Sequence, residues 1–389
     1  MKILHLGPIT LQESKKTSSE DSSNTFFKIG GLSNSITKLA EAQYLNNLKV
    51  GVITTRKSFR AVSKNIYWKS IYSNASLNLL LRDPFKKIEK EFGLPDILNT
   101  HDIFEIKQYP FIFHAFRRNI KIYITPRGTL SKLAIAKNHI KKGLFLSLFF
   151  NFVTKFIEGF VALNEGEKIN IRQRYKKKKI IIISNGIENN SNKKKLYKKN
   201  YEAKLQSNII NIGYLGRFEI YLKGLDLLLN SYVEYQRRSK EIKIKLTLIG
   251  SHDRRKPNSL DFIQSTYKNL LDPSKLDVKG PFFNENKWKE ISKFDIFTHP
   301  SRSEGMPNAV LEAMSMGIPC LLSPETNMKE IIESSRCGWI VNNTQKDIIN
   351  GFEVIESLTK KELISIGQNG TDYANNNLTW EKVAKASYY

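Results

Sequence analysis

The residues of this sequence that could act together chemically are two carboxylates and two cations in its second half. Glu304 and Glu312, with seven residues between them, lie in the stretch "HPSRSEGMPNAVLEAMSMGIP" at 299–319. Arg217 and Lys223 lie in "GYLGRFEIYLKGLDLLL", directly after a strand-like run. An arginine fork and a lysine point charge at the end of a buried parallel strand suit a diphosphate.

The residues between the two glutamates predict the start of a helix. Gly305, Met306, Pro307 and Asn308 precede an apolar run, and proline is favoured in a first helical turn. A helix start attracts phosphate, and eight helical residues rise about 12 Å, comparable with the sugar-to-ribose distance of a nucleotide sugar. The two carboxylates could hold the ends of such a donor. By spacing alone, a capping acid and a solvent-facing glutamate are favoured instead.

Strand-like runs alternate with helical patterns along the whole chain. They include "KVGVITT", "DILNTH" and "IKIYITPRG" in the first half and "NIINIGYLGR", "KIKLTLIGS" and "FDIFTHPS" in the second. This alternation predicts parallel sheets with helices on both faces. A chain of 389 residues is too long for one ordinary core, so the architecture is expected to occur twice.

Together these motifs resemble the retaining glycosyltransferases of GT-B fold, of the group 1 or family 4 type. The matching segments are Gly30-Gly31, Arg217 with Lys223-Gly224-Leu225-Asp226, "PSRSEGMPNAVLEAMSMGIP", "NGI" at 185–187 and "LTW" at 378–380. Two departures are Ser184, where proline usually precedes Asn-Gly, and Met306, where Phe or Leu is common. Neither departure removes a charged group.

The resemblance implies an α/β protein with two Rossmann-like doubly wound domains that face each other across a cleft. The expected boundaries are an acceptor-side domain at 1–188, a linker at 189–204, a nucleotide-sugar domain at 205–374 and a C-terminal helix at 375–389. We expect that last helix to pack back on the first domain.

The resemblance also implies roles on the donor side. Glu304 would bind hydroxyls of the donor sugar and Glu312 the ribose, while Arg217 and Lys223 would neutralise the leaving diphosphate. Gly31 would let a first-domain loop approach the phosphates. The donor-binding stretch includes Gly305, Met306, Pro307 and Asn308.

Two further residues are implied on the side of the reacting sugar and the acceptor. His101 in "LNTHDIFE" would face the reacting sugar; the alternative is a purely structural histidine. Arg127 in "TPRGTL" would contact an acceptor phosphate or sugar. The other five histidines receive no role. Since the sequence contains no Asp-x-Asp, we expect neither a metal nor another cofactor.

The charge is distributed unevenly. Residues 1–188 hold 32 Lys and Arg against 14 Asp and Glu, a net charge of +18, whereas residues 205–389 hold 24 against 22, a net charge of +2. The first half therefore predicts a polyanionic partner, an anionic membrane surface or a nucleic acid, with functionless composition drift as the alternative. The basic residues lack the aromatic interleaving of RNA platforms, so we expect no nucleic acid.

Three segments complete the sequence-based expectations. The polar stretch 11–26 is either an active-site lid or a tolerated loop. "KKGLFLSLFFNFVTKF" is interrupted by Asn151 and Lys155 before it could span a bilayer, and a buried helix is favoured over a membrane-dipping one. Cys320 and Cys337 are too few for a disulfide framework, which favours a reducing compartment.

The expected function is transfer of a hexose or N-acetylhexosamine from a nucleotide sugar to a lipid-linked glycan of O-antigen or capsule synthesis. A UDP-sugar donor is favoured and GDP-mannose is possible. The expected location is the cytoplasmic face of a bacterial inner membrane, with peripheral attachment. The alternatives are a sugar-nucleotide epimerase or phosphorylase of GT-B fold, a nucleic-acid-binding protein and an inactive homologue. A P-loop kinase is excluded, because the sequence has no Gly-Lys dipeptide.

Overall fold

The computed structural model describes residues 1–13, 27–57, 65–72, 76–136, 138–188, 196, 200–253, 258–267 and 269–388. The chain divides into two compact units. The first unit consists of Met1–Gly186 with Trp380–Tyr389, and the second unit consists of Ile187–Thr379.

The first unit is built on a parallel sheet. Its strands are β1 Lys2–Gly7, β4 Lys49–Thr54, β5 Tyr67–Ser70, β6 Ile97–His101, β7 Lys121–Thr125, β8 Gly159–Ala162 and β9 Lys179–Ile182, and a separate antiparallel pair is formed by β2 Leu11–Glu13 and β3 Phe27–Ile29. The order in the seven-stranded sheet is β5-β4-β1-β6-β7-β8-β9. Its helices are α1 Gly31–Leu45, α2 Ser76–Leu81, α3 Phe85–Glu91, α4 Tyr109–Arg117, α5 Lys132–Ala136, α6 His139–Leu144, a π-helical segment Phe145–Phe150, α7 Asn151–Val153 and α8 Glu165–Arg174, with 3₁₀ turns at Ile106–Gln108 and Thr154–Phe156.

The second unit repeats this architecture. Its strands are β10 Ile210–Leu215, β11 Ile244–Ile249, β12 Leu276–Lys279, β13 Ile296–His299, β14 Cys320–Leu322 and β15 Gly338–Ile340, in the parallel order β12-β11-β10-β13-β14-β15. Its helices are α9 Tyr201–Gln206, α10 Leu225–Arg238, α11 Ser259–Tyr267, α12 Asn284–Ile291, α13 Asn308–Ser315, α14 Lys329–Ser335, α15 Gln345–Glu356 and α16 Lys360–Asn377, with 3₁₀ turns at Pro273–Lys275 and Pro324–Thr326. The prediction of two Rossmann-like α/β domains is confirmed.

Helices on both faces of the first sheet explain the near-continuous apolar strands. Leu4 and Leu6 of β1 belong to the core on one face, whereas Ile3 belongs to the core on the other, together with Ile36 and Leu39 of α1. Successive strand residues point to opposite faces, so a strand buried on both sides must be apolar throughout. Because helices cover both faces of the sheet, the candidate polar residues lie at the ends of its strands.

The strand order of each sheet reverses beside the first strand of its unit. The reversal lies between β1 and β6 in the first unit and between β10 and β13 in the second. In doubly wound sheets, ligands bind at the carboxyl ends of the strands at this switch point. The candidate residues His101, Arg217 and Glu304 all lie at or just after the ends of these strands.

The boundaries differ in detail from those expected. Helix α16 continues to Asn377 because buried Gly370, Thr371 and Ala374 keep its last turns packed within the second unit, so a break at 374 is wrong. The chain returns to the first unit at helix α17, Trp380–Lys385, which packs against α1. Of the expected linker, 189–195 and 197–199 lie outside the described residues, as do 14–26 of the polar loop.

The returning segment connects two of the sequence motifs. A Cβ added at Gly186 would lie 2.5 Å from Cδ2 of Trp380, so the indole ring packs directly on the glycine backbone. The "NGI" and "LTW" motifs therefore meet at this contact. Glycine is required there because a side chain would displace the ring.

Candidate active site

A charged cluster lies at the switch point of the second unit. Lys223 Nζ donates to Oε1 of Glu304 at 2.5 Å, and His299 Nε2 lies 2.8 Å from the same oxygen. Since an ionised carboxylate only accepts, the hydrogen of the His299 ring is on Nε2. The Glu304 side chain remains 15% exposed, and its Oε2 has no hydrogen-bond partner among the described residues. One acceptor oxygen is thus held by protein donors, and the other can accept a further hydrogen bond.

The Lys223-Gly224 turn is held in place by its backbone. Gly224 has a φ of +68°, and a Cβ there would lie 1.9 Å from the carbonyl oxygen of Pro300. The turn after β10 can therefore lie directly on the loop after β13 only if this residue is glycine. The close approach brings Lys223 to Glu304, although the two residues are 81 positions apart in the sequence.

A bidentate ion pair fixes the same two loops. Arg302 donates from Nη1 and Nη2 to the two carboxylate oxygens of Asp226 at 2.7 and 2.8 Å. Its guanidinium also lies over the Tyr221 ring, 4.2 Å from the centroid. Hydrogen bonds of this charge-assisted kind are worth roughly 1.5–3 kcal/mol each. Asp226 of the "KGLD" motif therefore positions the loop that carries Glu304.

The electrostatics of Glu304 favour its ionised form. Burial would by itself raise the pKa of Glu304, but the charge of Lys223 and the hydrogen bond from His299 outweigh it and hold the pKa far below its usual range. The backbone around this carboxylate is fixed too. Glu304 N donates to Glu325 O at 3.0 Å, and Asn327 Nδ2 donates to Glu304 O at 2.7 Å. Glu304 is therefore a preorganised anion.

His299 is enclosed by aromatic rings. Tyr214 and Phe297 lie nearly parallel to it, with ring centroids 5.5 and 6.1 Å away. Burial lowers the pKa of His299; the hydrogen bond to Glu304 opposes this effect and the charge of Lys223 adds to it. Nδ1 of the ring is buried without a hydrogen-bond partner among the described residues. The neutral ring therefore serves as a fixed donor to Glu304.

Arg217 lies beside this cluster but is paired elsewhere. Its Nη1 is 2.7 Å from Oε1 of Glu219, and its side chain is half-exposed. The peptide oxygen of Arg217 accepts from the Tyr214 hydroxyl at 3.0 Å. The guanidinium can thus reach solvent while its backbone is fixed by the same tyrosine that stacks on His299.

Glu312 is not the solvent-facing glutamate that its spacing favoured. Its Oε1 accepts from Lys287 Nζ at 2.7 Å, and Lys287 belongs to α12. Lys287 also lies over the ring of Trp288, 4.3 Å from the centroid. Helix α12 follows the loop 280–283. Glu312 therefore lies beside this helix, and its role toward the ribose stays a prediction.

The helix between the two glutamates begins later than expected. Helix α13 starts at Asn308, and Pro307 precedes it in an extended conformation with φ −73° and ψ 118°. The predicted place of Pro307 in the first turn is therefore wrong, because its carbonyl caps the helix by accepting from Val310 N. Gly305 and Met306 are buried with it. Their role in donor binding stays a prediction.

In the first unit, His101 belongs to a buried chain of hydrogen bonds. Arg127 Nε donates to His101 Nδ1 at 3.2 Å, and His101 Nε2 lies 3.1 Å from His5 Nδ1. His5 Nε2 lies 2.8 Å from Gln43 Oε1, and Gln43 Nε2 donates to the hydroxyl of Ser387 at 3.1 Å. The chain joins the ends of β1 and β6 to α1 and to the returning C-terminal segment.

The direction of every hydrogen bond in this chain follows from Arg127. A guanidinium can only donate, so Nδ1 of His101 accepts and its hydrogen is on Nε2. His101 then donates to Nδ1 of His5, which in turn donates from Nε2 to Gln43. Ser387 completes the series by donating to Ala384 O at 2.7 Å. Both imidazoles are thus fixed as the Nε2–H tautomer.

The same chain keeps both histidines neutral. Burial lowers the pKa of His5 to about 4, with the Gln43 hydrogen bond opposing and the Arg127 charge adding to the effect. Burial, Arg127 and His5 together hold the pKa of His101 well below its usual range. Arg127 also donates to Asn185 Oδ1 at 3.3 Å. His101 and Arg127, predicted separately, are therefore in direct contact, and their roles toward sugar and acceptor stay predictions.

The glycine pair of the first unit lies at a helix start. Gly31 is the first residue of α1, and Gly30 precedes it with φ −71° and ψ 156°. A Cβ at Gly30 would meet no described atom within 4 Å, so packing within the described residues does not require glycine there. The predicted approach of this loop to phosphates stays a prediction.

Sequence reasoning missed His5, His299 and Lys287. His5 interrupts the otherwise apolar strand "KILHLG", and a polar residue fully buried in a strand must find a partner. That signal singles out His5 as a residue that needs a hydrogen-bond partner, but it does not show which residue the partner is. The histidine before "PSRSE" lies next to a predicted site, whereas no local pattern connects Lys287 with Glu312.

The described side chains and helices bear on the binding of metal ions and on the crossing of membranes. Among the described residues, no group of three or more His, Cys, Asp and Glu side chains could hold a metal ion. The expected independence of metal stays a prediction. Within the part of the chain that the structure describes, no helix is both long and apolar enough to cross a membrane.

Comparison with known proteins agrees with this geometry. The sequence model of the family described as Glycosyl transferases group 1 matches residues 210–355. A relative from Haemophilus influenzae, an uncharacterized glycosyltransferase, is 26% identical over 201 residues, which are 50% of this chain and 50% of the relative. The capsular polysaccharide biosynthesis glycosyltransferase CapM of Staphylococcus aureus is 28% identical over 244 residues, 57% of this chain and 59% of CapM. The chain thus spans about half the length of the curated relatives it matches.

Solved structures match over nearly the whole chain. Sucrose-phosphate synthase from Thermosynechococcus elongatus has a TM-score of 0.71 at 14% identity and covers 99% of this chain and 97% of its own. Anabaena HepE in complex with UDP has a TM-score of 0.71 at 15% identity and covers 99% and 98%. These likenesses establish the fold. The chain adopts the GT-B fold, and its residues 210–355 match the sequence model of the group 1 glycosyl transferases.

Proposed function

We propose that this protein is a retaining glycosyltransferase that uses a nucleoside-diphosphate sugar. The observation that carries the proposal is the cluster of Lys223, His299 and Glu304, with Arg217 beside it, at the switch point of the second sheet. This cluster combines cations for a diphosphate with a carboxylate for sugar hydroxyls. It lies within the residues that match the group 1 family.

Glu304 and Lys223 would exchange partners when the donor binds. In the free protein, Lys223 neutralises Glu304 through Oε1. A bound diphosphate would attract Lys223, and Arg217 would turn to it from Glu219, because phosphate carries more charge than either carboxylate. Glu304 would keep its bond to His299 and accept sugar hydroxyls at Oε2. Glu312, beside α12, would bind the ribose.

The transfer step needs stabilisation of charge on the leaving group. As the bond between the anomeric carbon and the phosphate oxygen breaks, its electron pair goes to the diphosphate. The acceptor hydroxyl bonds to the same face of that carbon and gives its proton to the leaving phosphate. A preorganised donor at such a site contributes on the order of 10²–10³ in rate. Lys223 and Arg217 would supply these donors.

The donor is proposed to be a UDP-sugar, carrying a hexose or an N-acetylhexosamine. One support is the fold likeness to HepE, whose structures contain UDP and UDP-glucose. GDP-mannose is the alternative. The stretch Gly280-Pro281-Phe282 before α12 is the proposed contact for the base, near the Lys287–Glu312 pair.

The acceptor is proposed to be a lipid-linked glycan of surface polysaccharide synthesis, O-antigen or capsule, at the cytoplasmic face of the inner membrane. The charge of +18 on residues 1–188 supports an anionic membrane as the partner of the first unit. The similarity to CapM, described as a capsular polysaccharide biosynthesis enzyme, agrees with this acceptor class. Attachment would be peripheral and would weaken with salt.

A transfer assay tests the proposal. Thermal shift against UDP-, GDP- and ADP-sugars selects the donor, since a ligand at 100 times its Kd stabilises by about 2.7 kcal/mol. NMR of the product should then show a new glycosidic bond with retained configuration, whereas an epimerase would return an altered nucleotide sugar. We expect full activity in EDTA. Loss of activity on chelation, restored by Mn²⁺ or Mg²⁺, would show that a metal carries the leaving-group charge.

A further inference from the structure

An exposed apolar surface of the first unit lies on the helical run of residues 139–156. Five large side chains are exposed on this run: Ile140 65%, Leu144 56%, Leu148 70%, Phe149 38% and Phe152 49%. We refer to these five residues as the apolar stripe. Contiguous apolar surface of this kind marks an interaction site, whereas single exposed apolar residues need no explanation.

The spacing of the stripe keeps it on one side of the helix. Ile140, Leu144, Leu148 and Phe152 follow one another at intervals of four. In an α-helix of about 3.6 residues per turn, that interval drifts around the axis. The π-helical segment Phe145–Phe150 widens the turn and counteracts the drift. The stripe therefore forms one row along the run.

The opposite side of the run is firmly packed. Leu146, Phe150 and Val153 are fully buried, and Phe150 packs 6.3 Å from the ring of Phe160 in β8. Tyr109 of α4 also packs on Phe150, with ring centroids 6.5 Å apart. The expectation of a buried helix is thus correct for one face only. The run is a fixed part of the core, and its stripe points outward because the remaining positions are filled.

Basic residues accompany the stripe, and the sequence of this segment contains no acidic residue. Residues 106–157 contain ten Lys and Arg and no Asp or Glu. Lys141 and Lys155 lie within the run and are exposed, and Arg117 is exposed beside Phe116 at the end of α4. Phe116 reaches the run through Phe156, with ring centroids 4.9 Å apart.

We propose that the apolar stripe and its flanking cations form the surface by which the first unit lies in the interface of an anionic bilayer. The stripe would enter the acyl boundary while the lysines meet lipid phosphates, the arrangement of an interfacial amphipathic helix. This inference rests on the membrane partner proposed above and names the residues that contact it. It requires a helix lying along the surface rather than one that spans the bilayer.

Charge complementarity selects the bilayer over the other occupants. A second copy of the chain would bring the exposed Lys141, Lys155 and Arg117 against the same three cations, and like charges repel. Nucleic acid would satisfy the lysines but would leave Ile140, Leu144 and Leu148 without an apolar partner, because bases stack on aromatic rings. An anionic bilayer provides both phosphates and hydrocarbon.

Vesicle binding tests the surface directly. The full chain would be sedimented with vesicles of phosphatidylcholine alone and with phosphatidylglycerol added, at low and high salt. We expect binding only to the anionic vesicles. The double variant Leu144→Gln with Leu148→Gln keeps helix-forming side chains and should weaken binding at least about tenfold. The matched control Leu45→Gln changes a residue that is 78% exposed outside the run and should bind like the wild type.

The contribution of the lysines to vesicle binding and the depth of insertion into the bilayer are measured with separate variants. Lys141→Glu with Lys155→Glu should remove most of the salt-dependent part of binding, whereas Lys240→Glu on the second unit should not. The variant Phe152→Trp should show a blue-shifted emission with anionic vesicles and quenching by brominated lipid, because tryptophan partitions into the interface.

The outcomes separate this surface from the enzyme activity. UDP affinity, measured on every variant, should stay at the wild-type value, which also shows that the variants are folded. Equal vesicle binding by the stripe variant and the wild type would overturn the proposal. The proposal would also be overturned if the wild type formed a concentration-dependent dimer, or bound DNA, and the stripe variant alone lost that property. Failure of UDP binding in the wild type would instead contradict the donor site and leave the vesicle result standing.

Discussion

His101 and His299 occupy equivalent places in the two units. Each is the last residue of a strand at the switch point of its sheet, β6 in the first unit and β13 in the second. His101 contacts a cation, Arg127, and a second neutral ring, His5. His299 contacts a carboxylate, Glu304, which is also paired with Lys223.

The difference separates two uses of a buried imidazole. The chain from Arg127 to Ser387 contains no carboxylate and ends in the backbone, so it fixes ring orientation and ties the C-terminal segment to the sheet. In the cluster around Glu304, no described residue donates to Oε2 of the carboxylate, and Lys223 is a cation that can change partner. The first arrangement suits positioning, and the second suits binding of a charged ligand. The predictions below break these arrangements one at a time.

The largest effect is expected from Glu304→Gln. Loss of this charge should lower transfer by roughly 10- to 100-fold, the value of one charge-assisted hydrogen bond. Binding of free UDP should be unchanged or tighter, because Lys223 is released from Glu304. Glu312→Gln should instead weaken UDP and UDP-sugar alike, since its proposed partner is the ribose. Equal losses of UDP affinity in the two variants, measured by calorimetry, would contradict this division of roles.

The stability of the first unit should depend on pH through its neutral histidines. His5 titrates near its ordinary value of 6.5 when unfolded and at about 4 when folded, so the unfolded state binds more protons between these values. Stability from His5 is therefore complete above pH 6.5 and falls by roughly 3 kcal/mol as the pH drops to 4. Urea unfolding across this range should show a smaller loss for His5→Gln. The control His252→Gln changes an exposed histidine and should follow the wild type; an unchanged loss in His5→Gln would contradict a neutral buried ring.

A smaller effect is expected from Gln43→Leu. It leaves the Nε2–H of His5 buried without an acceptor, at a cost of about 1–3 kcal/mol. In the wild type, ¹⁵N NMR should find both His5 and His101 as the Nε2–H tautomer, whereas the variant should lose the fixed tautomer of His5. A hydrogen on Nδ1 of His101 in the wild type would show that Arg127 does not set the direction of the chain.

The sequence predicted the placement of the site better than its contacts. Carboxyl ends of parallel strands meet at one edge, so Arg217, Lys223 and Glu304 were expected together once the strands were recognised. The pairing of Lys287 with Glu312 was not expected, because it depends on how α12 and α13 pack against each other. Pro307 shows a further limit, since a helix boundary depends on which carbonyl caps it.

The apolar run at 139–156 illustrates why burial was only half predicted. Its composition is apolar on nearly all sides, and composition alone does not show which face has a neighbour. The π-helical segment Phe145–Phe150 decides this, because it changes which positions face the core. The charge pattern, in contrast, is a property of the sequence, and it predicts an anionic partner without reference to any contact.

Calorimetric titration with UDP measures directly whether the Lys223 cluster binds a nucleoside diphosphate. Three proteins are compared: the wild type, Lys223→Ala, and Lys245→Ala as a matched control. Lys245 is also a partly exposed lysine of the second unit in an ion pair, with Asp277 at 2.9 Å, but it lies near the other end of its strand. Loss of Lys223 should weaken UDP binding by about 10- to 100-fold, and loss of Lys245 should leave it unchanged. Equal UDP affinity in Lys223→Ala and the wild type would contradict the proposal that Lys223 binds the diphosphate.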